Sequence, residues 1–181
     1  MGVYDNKMER VIIIGNSGSG KTHLAQRMSG CLDIDVIHLD ELFWEPGGFN
    51  QMRSQDIVYA EIANFAQGQA WIVEGIFGEL AKEFFLSADT LIWLDMDWAT
   101  CMAGLRARHA ERMQSHGRGE TDESFTELLK WASEYWQRLG PRSYKGHQQL
   151  FGEFRGRKIR LASRRAVENF IETIPGIRIW G

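Results

Sequence analysis

Eight consecutive residues, Gly15-Asn16-Ser17-Gly18-Ser19-Gly20-Lys21-Thr22, carry the strongest chemical signal in the chain. Their spacing, G-x-x-x-x-G-K-[ST], is what a phosphate cradle requires. Glycines let backbone N–H groups turn inward around an anion with no side chain in the way. A helix starting near Lys21 aims the positive end of its dipole at the same point. Lys21 adds a full charge for the β- and γ-phosphates, and the Thr22 hydroxyl is suited to ligate Mg²⁺. His23 follows directly and counts as a further neighbour of the nucleotide. ATP with Mg²⁺ is the expected cofactor pair, although the loop alone does not separate ATP from GTP.

Phosphoryl transfer needs two more things. One is a group that orients or deprotonates the acceptor; the other is positive charge on the migrating phosphoryl. The run His38-Leu39-Asp40-Glu41-Leu42-Phe43-Trp44 offers the first. Asp40 is suited to accept a proton from an acceptor hydroxyl, the alternative being a cap on the following segment. His38 reads as a structural histidine, and Phe43 and Trp44 as an apolar wall or as core. Glu74 and Asp95 each close an apolar run and compete for Mg²⁺; spacing does not choose between them. Arg106, Arg108 and Arg112 come next, with Arg108 and Arg112 four apart and so on one helix face. Arginines there can clamp phosphates. Arg118 and Arg142 are candidates for arms that close over the nucleotide, and Arg164 for a guanidinium stacked on the adenine.

These residues need a scaffold that gathers them. Five short apolar runs, at 10–14, 35–39, 70–74, 90–95 and 158–161, read as strands. The first four are dense in apolar residues rather than alternating, as in parallel strands covered on both faces. Helical patterns at 21–29, 54–67, 78–86, 98–115 and 166–173 follow them in turn. Strand–helix alternation implies an α/β fold with a parallel sheet, and ligands in such sheets bind beyond the carboxyl ends of the strands. Between the fourth and fifth strands lies a long detour. Thr121-Asp122-Glu123-Ser124 opens a helix there, with an apolar stripe from Phe125 to Leu139, and Gly140-Pro141 stops it. A further short helix spans 144–154.

Bulk numbers narrow the class. A chain of 181 residues suits one domain with a real core. Two cysteines make no disulfide framework and no zinc motif. No apolar run reaches membrane-spanning length and no secretory leader opens the chain, so a cytoplasmic protein without membrane partners is expected. Residues 1–100 hold 6 Lys/Arg against 15 Asp/Glu, and residues 101–181 hold 15 against 9. The basic second half suits local handling of anions, while an overall pI near 6.0 argues against a dedicated nucleic-acid surface.

The cradle with its preceding strand (11–22), H-L-D-x-x-x-W at 38–44, W-I-V-E-G at 71–75, L-I-W-L-D at 91–95, the Arg106/Arg108 pair and residues 159–163 together carry a resemblance. Over residues 10–173 the chain resembles the nucleoside/nucleotide-kinase branch of P-loop proteins, adenylate-kinase-like in build. It is similar to the bacterial proteins labelled DNA topology modulation proteins. The resemblance implies a three-layer P-loop NTPase fold with a five-stranded parallel sheet in order 2-3-1-4-5. It also implies a single domain over 1–181, with 112–157 as a lid-like helical insertion. The acidic-Gly step after strand three would lie near Mg²⁺. Here that step is Glu74-Gly75, where adenylate kinases carry Asp-Gly, and this favours Glu74 over Asp95. The Asp after strand two looks like the acceptor-binding Asp of uridine and shikimate kinases, which supports Asp40. The expected activity is ATP-dependent phosphotransfer to a small-molecule acceptor, nucleoside, nucleotide or similar. The second class is a nucleotide-dependent regulatory ATPase that binds DNA or a protein partner. A GTPase fits less well, since no N-K-x-D base motif is evident.

Overall fold

The computed structural model describes residues 8–46, 51–114 and 121–174. Arg118 and His116 lie outside the described residues. Strand β1 (Arg10–Gly15) is the centre of the molecule, since Val11, Ile12, Ile13 and Ile14 have no exposed surface. A strand flanked by neighbours and covered on both faces needs apolar side chains pointing both ways, and this run supplies them. Strands β2 (Val36–His38), β3 (Trp71–Gly75), β4 (Thr90–Leu94) and β5 (Arg157–Leu161) complete one parallel sheet in order β2-β3-β1-β4-β5. The expected order and five-stranded parallel sheet are both present.

Alternate residues of β1 serve different layers. Ile12 and Ile14 join Ile37, Val73, Leu91 and Trp93 under helix α3 (Gln55–Ala66) and helix α4 (Gly78–Lys82). Val11 and Ile13 join Ile72, Ile92 and Leu94 under helix α1 (Lys21–Leu32) and helix α8 (Arg164–Glu172). Helix α5 (Trp98–Gln114) covers this second face with Cys101. The register is what builds the site. His38 lies beside Glu74, and Glu74 beside Ile13, so side chains from three strands meet in one row just below the cradle.

Several boundaries differ from those read in the sequence, each for a local reason. Strand β2 ends at His38, and Leu39 opens a five-residue helix, α2 (Leu39–Phe43), that buries Leu39 and Leu42. Helix α4 stops at Lys82 and continues as turns instead of running to residue 86. In the detour, helix α6 (Asp122–Ser133) starts on a reciprocal cap. The Ser124 N–H donates to the Thr121 hydroxyl oxygen at 3.1 Å, and the Thr121 N–H donates to Ser124 Oγ at 2.9 Å. The chain then tightens into a 3₁₀ turn, Glu134–Trp136, and Leu139 is 79% exposed rather than part of an apolar stripe. Helix α7 (Tyr144–Glu153) is capped by Ser143 and lies against the sheet. Ala132, Tyr135, Leu150 and Phe154 are all buried. The second half of the expected insertion is therefore built into the core.

Candidate functional site

The cradle joins β1 to α1. Gly20 caps the helix at φ 97°, a left-handed conformation that suits a residue without Cβ. At the tip, Gly18 meets α5 backbone to backbone. A Cβ on Gly18 would lie 2.1 Å from the Cys101 carbonyl oxygen, and one on Gly104 would lie 2.3 Å from the Gly18 carbonyl oxygen. Asn16 braces the loop, donating from Nδ2 to the Ala132 carbonyl at 2.9 Å and accepting the Ser17 N–H at Oδ1 at 2.8 Å. Lys21 Nζ donates to the Asn16 carbonyl at 2.9 Å. Burial holds the Lys21 pKa below the usual lysine value, although Glu74 and Asp40 oppose the shift. A buried ammonium on one carbonyl and a buried Ser19 Oγ with no partner among protein atoms are both groups that a polyphosphate would satisfy. The cradle fits a nucleotide.

Glu74 sits below Lys21 and is almost fully buried. Its Oε1 accepts the Thr22 hydroxyl at 3.0 Å and pairs with His38 Nδ1 at 2.7 Å. Burial alone would raise its pKa; the His38 hydrogen bond, Lys21 and Thr22 outweigh burial and hold it below the usual carboxylate value. His38 is raised in turn, chiefly by its hydrogen bond to Glu74. The two are hydrogen-bonded across adjacent strands. No three metal-ligating side chains gather among the described residues. Mg²⁺ bound with a nucleotide takes few protein oxygens and completes its shell with phosphates and water. Thr22 Oγ1 and the Glu74 carboxylate fit that role.

Asp40 stands at the start of α2, an exposed residue crowded by the protein around it and electrostatically coupled to Lys21 and Glu74. Its pKa is raised, first by the surrounding protein and also by the like charge of Glu74, while Lys21, Arg108 and His38 pull it down. Lys21, Glu74, His38, Asp40 and Arg108 are thus one electrostatic cluster.

The other expected residues divide. Arg108 acts on both Lys21 and Asp40. Arg112 lies one turn farther along α5 on that face, and Arg106 on another side of the helix; all three are exposed. His23 is exposed on α1. Asp95 is not in the cluster. Its carboxylate is paired with the Arg160 guanidinium on β5, with Nε at 2.8 Å, while the Thr22 hydroxyl turns to Glu74. Arg164 lies against the cradle. Its Nη1 donates to the Ser19 carbonyl at 2.9 Å and its Nη2 to the Gly18 carbonyl at 3.2 Å, so it grips the cradle from outside.

Three features escaped the sequence reading. His38 belongs to the cluster, and its spacing two before Asp40 was the available signal. Arg142 does not hang free as an arm. Its guanidinium carbon lies 4.3 Å from the ring centres of both Phe43 and Phe77, and its Nε donates to Glu79 Oε1 at 2.6 Å. Buried His147 is the third. It accepts the Tyr135 hydroxyl at Nδ1 (2.7 Å) and donates from Nε2 to the Ile76 carbonyl (3.0 Å), tying α7 and the 3₁₀ turn to the segment after β3.

No protein-family model matches the chain, and no curated protein matches it in sequence. Solved structures do match in fold. A shikimate kinase from Bacteroides thetaiotaomicron is 15% identical, with 92% of this chain and 96% of that one covered at a TM-score of 0.53. A shikimate kinase from Acinetobacter baumannii in complex with shikimate is 12% identical, with 93% and 91% covered and a TM-score of 0.52. A gluconokinase from Sinorhizobium meliloti 1021 is 17% identical, with 91% and 87% covered and a TM-score of 0.51. The fold is that of the P-loop kinases, with five parallel strands in the order seen here.

Proposed function

We propose that this protein is a cytoplasmic Mg²⁺- and ATP-dependent phosphotransferase acting on a small-molecule acceptor. The observation that carries the reading is the cluster in which buried Lys21 and Glu74 meet Thr22 and His38 under the cradle, with Asp40 beside it. Residues 15–22 would bind the triphosphate, with Lys21 moving from the Asn16 carbonyl to phosphate oxygens. Thr22 and Glu74 would hold Mg²⁺, which when bound screens the phosphate charges. His38 would fix the Glu74 carboxylate. Asp40 would orient the acceptor hydroxyl and take its proton as the new oxygen–phosphorus bond forms and the bond from the γ-phosphorus to ADP breaks. Arg108 would face the transferring group. Any closing segment would lie in the exposed end of α5 and in α6, since Ala132, Tyr135, His147, Leu150 and Phe154 anchor the following segment in the core. The similarity to DNA topology modulation proteins rests on sequence motifs alone.

The test measures ADP release with Mg-ATP against a panel of hydroxylated small molecules. Acceptor-dependent release is expected. Asp40→Asn should lower kcat by about 10²–10⁴-fold with calorimetric Mg-ATP affinity retained. ADP release that no acceptor accelerates would support the regulatory ATPase instead and refute the kinase reading.

A further inference from the structure

Asn16 is 1% exposed, and its side-chain amide is held from both ends. Oδ1 accepts the Ser17 N–H at 2.8 Å, and Nδ2 donates to the Ala132 carbonyl at 2.9 Å, across 116 positions of sequence. Its own carbonyl accepts the Ser19 N–H at 3.2 Å and Lys21 Nζ at 2.9 Å. The turn of the cradle, its lysine and the end of α6 therefore meet on one residue. Without Ala132, this buried amide would either keep an unsatisfied N–H or turn to another partner and take the cradle with it.

The partner is the last turn of α6. That helix buries Ala132, while Phe125, Leu128, Leu129 and Trp131 are only half-buried. Consecutive carbonyls of the turn take donors from outside the helix: Arg138 Nη1 reaches Trp131 at 2.8 Å, and Asn16 Nδ2 reaches Ala132. Arg138 lies 7 residues on, so its bond can follow the turn. Asn16 belongs to the cradle, so its bond breaks when the turn moves away. Lightly packed helical turns open locally at low free energy. Each opening frees Asn16, and with it the fixed loop shape that a triphosphate requires. A ligand bound to that shape disfavours the opening, to the same degree that the closed turn favours the ligand.

Resting on the phosphotransferase reading above, we infer that Asn16 is a positioning residue that links occupation of the cradle to the order of α6. The far end of α6 extends the link to α5, where the Phe125 ring lies flat on His109 with centres 3.9 Å apart. His109 adjoins Arg108, so a steady α6 supports the α5 turn that carries Arg108.

The test is hydrogen exchange by mass spectrometry over residues 130–133, without and with Mg²⁺ and the β,γ-imido analogue of ATP. Calorimetry sets the saturating concentration for each chain. The natural chain should exchange about fivefold more slowly with the analogue bound, the worth of one hydrogen bond. In Asn16→Ser, whose side chain is too short to reach Ala132, that ratio should fall to about one. Asn16→Asp keeps the acceptor for Ser17 but has no donor for Ala132, and gives the same readout should Asn16→Ser not fold. Arg138→Ala loosens the same turn and leaves Asn16 in place. Its exchange should be faster throughout, with the ratio of the natural chain kept. Binding without slowing in the natural chain overturns the inference and leaves the kinase reading standing. So does a full ratio in the Asn16 variants, or a lost ratio in Arg138→Ala. Failure of the analogue to bind the natural chain overturns both.

Discussion

Lowering the pH from 7 to 5 should weaken the fold by about 2 kcal/mol through His147 alone. This imidazole has no exposed surface. Burial pushes its pKa from the ordinary 6.5 down to about 3, with the Ile76 carbonyl opposing and Lys21 and Arg138 adding to the fall. Donation to Ile76 and acceptance from Tyr135 fix the neutral form with its proton on Nε2. The unfolded chain takes up a proton near 6.5 while the folded chain does not until near 3. Stability is full above the first value and is lost as pH falls between the two. At pH 5 the unfolded state has a gap of about 1.5 pH units in its favour, and each unit is worth about 1.4 kcal/mol. Other carboxylates titrate in the same range, so the assay is a difference. Urea denaturation followed by circular dichroism at pH 7 and pH 5 is run on the natural chain and on His147→Gln. The stability gap between them should narrow by about 2 kcal/mol on acidification. If the two chains lose stability in parallel, the proton accounting for His147 is wrong. The effect reaches the site because Ile76 adjoins Phe77, on which Arg142 rests.

Glu74→Gln should remove the carboxylate that holds the His38 pKa up. The His38 imidazole, raised in the natural chain mainly by Glu74, should titrate at lower pH by NMR, and the Mg²⁺ needed for half-maximal turnover should rise about 10–100-fold. A His38 titration that does not move would refute the pairing. Arg164→Ala removes two hydrogen bonds to cradle carbonyls and should weaken ATP binding about tenfold in calorimetry. Unchanged affinity would show that the cradle holds its shape without that grip.

Much of this architecture was legible because its determinants are local. The cradle needs particular residues at fixed spacing, and the β1 run can only be a doubly covered strand. What the sequence concealed was mostly non-local. The His38–Glu74 pair joins residues 36 apart and depends on the β2–β3 register. The Arg142–Glu79 pair spans 63 positions, and nothing near Arg142 in the chain announces it. The apolar stripe from Phe125 to Leu139 looked continuous at helical spacing. The chain leaves that spacing at Glu134 as Tyr135 enters the core and bonds His147, a requirement set by a residue on another helix. Asp95 and Glu74 looked alike as acidic ends of apolar runs. Their neighbours separate them, an arginine beside one and the Thr22 hydroxyl beside the other.

The crossing of Gly18 and Gly104 has a consequence for how such a sequence can diverge. A methyl group on Gly18 would strike the Cys101 carbonyl and one on Gly104 the Gly18 carbonyl, so neither can change while loop and helix stay in contact. Descendants of this chain are free to vary most of the solvent side of α5, yet both glycines stay locked unless the cradle and α5 separate. A search for remote kin should therefore weight a glycine far downstream of the cradle as heavily as those inside it.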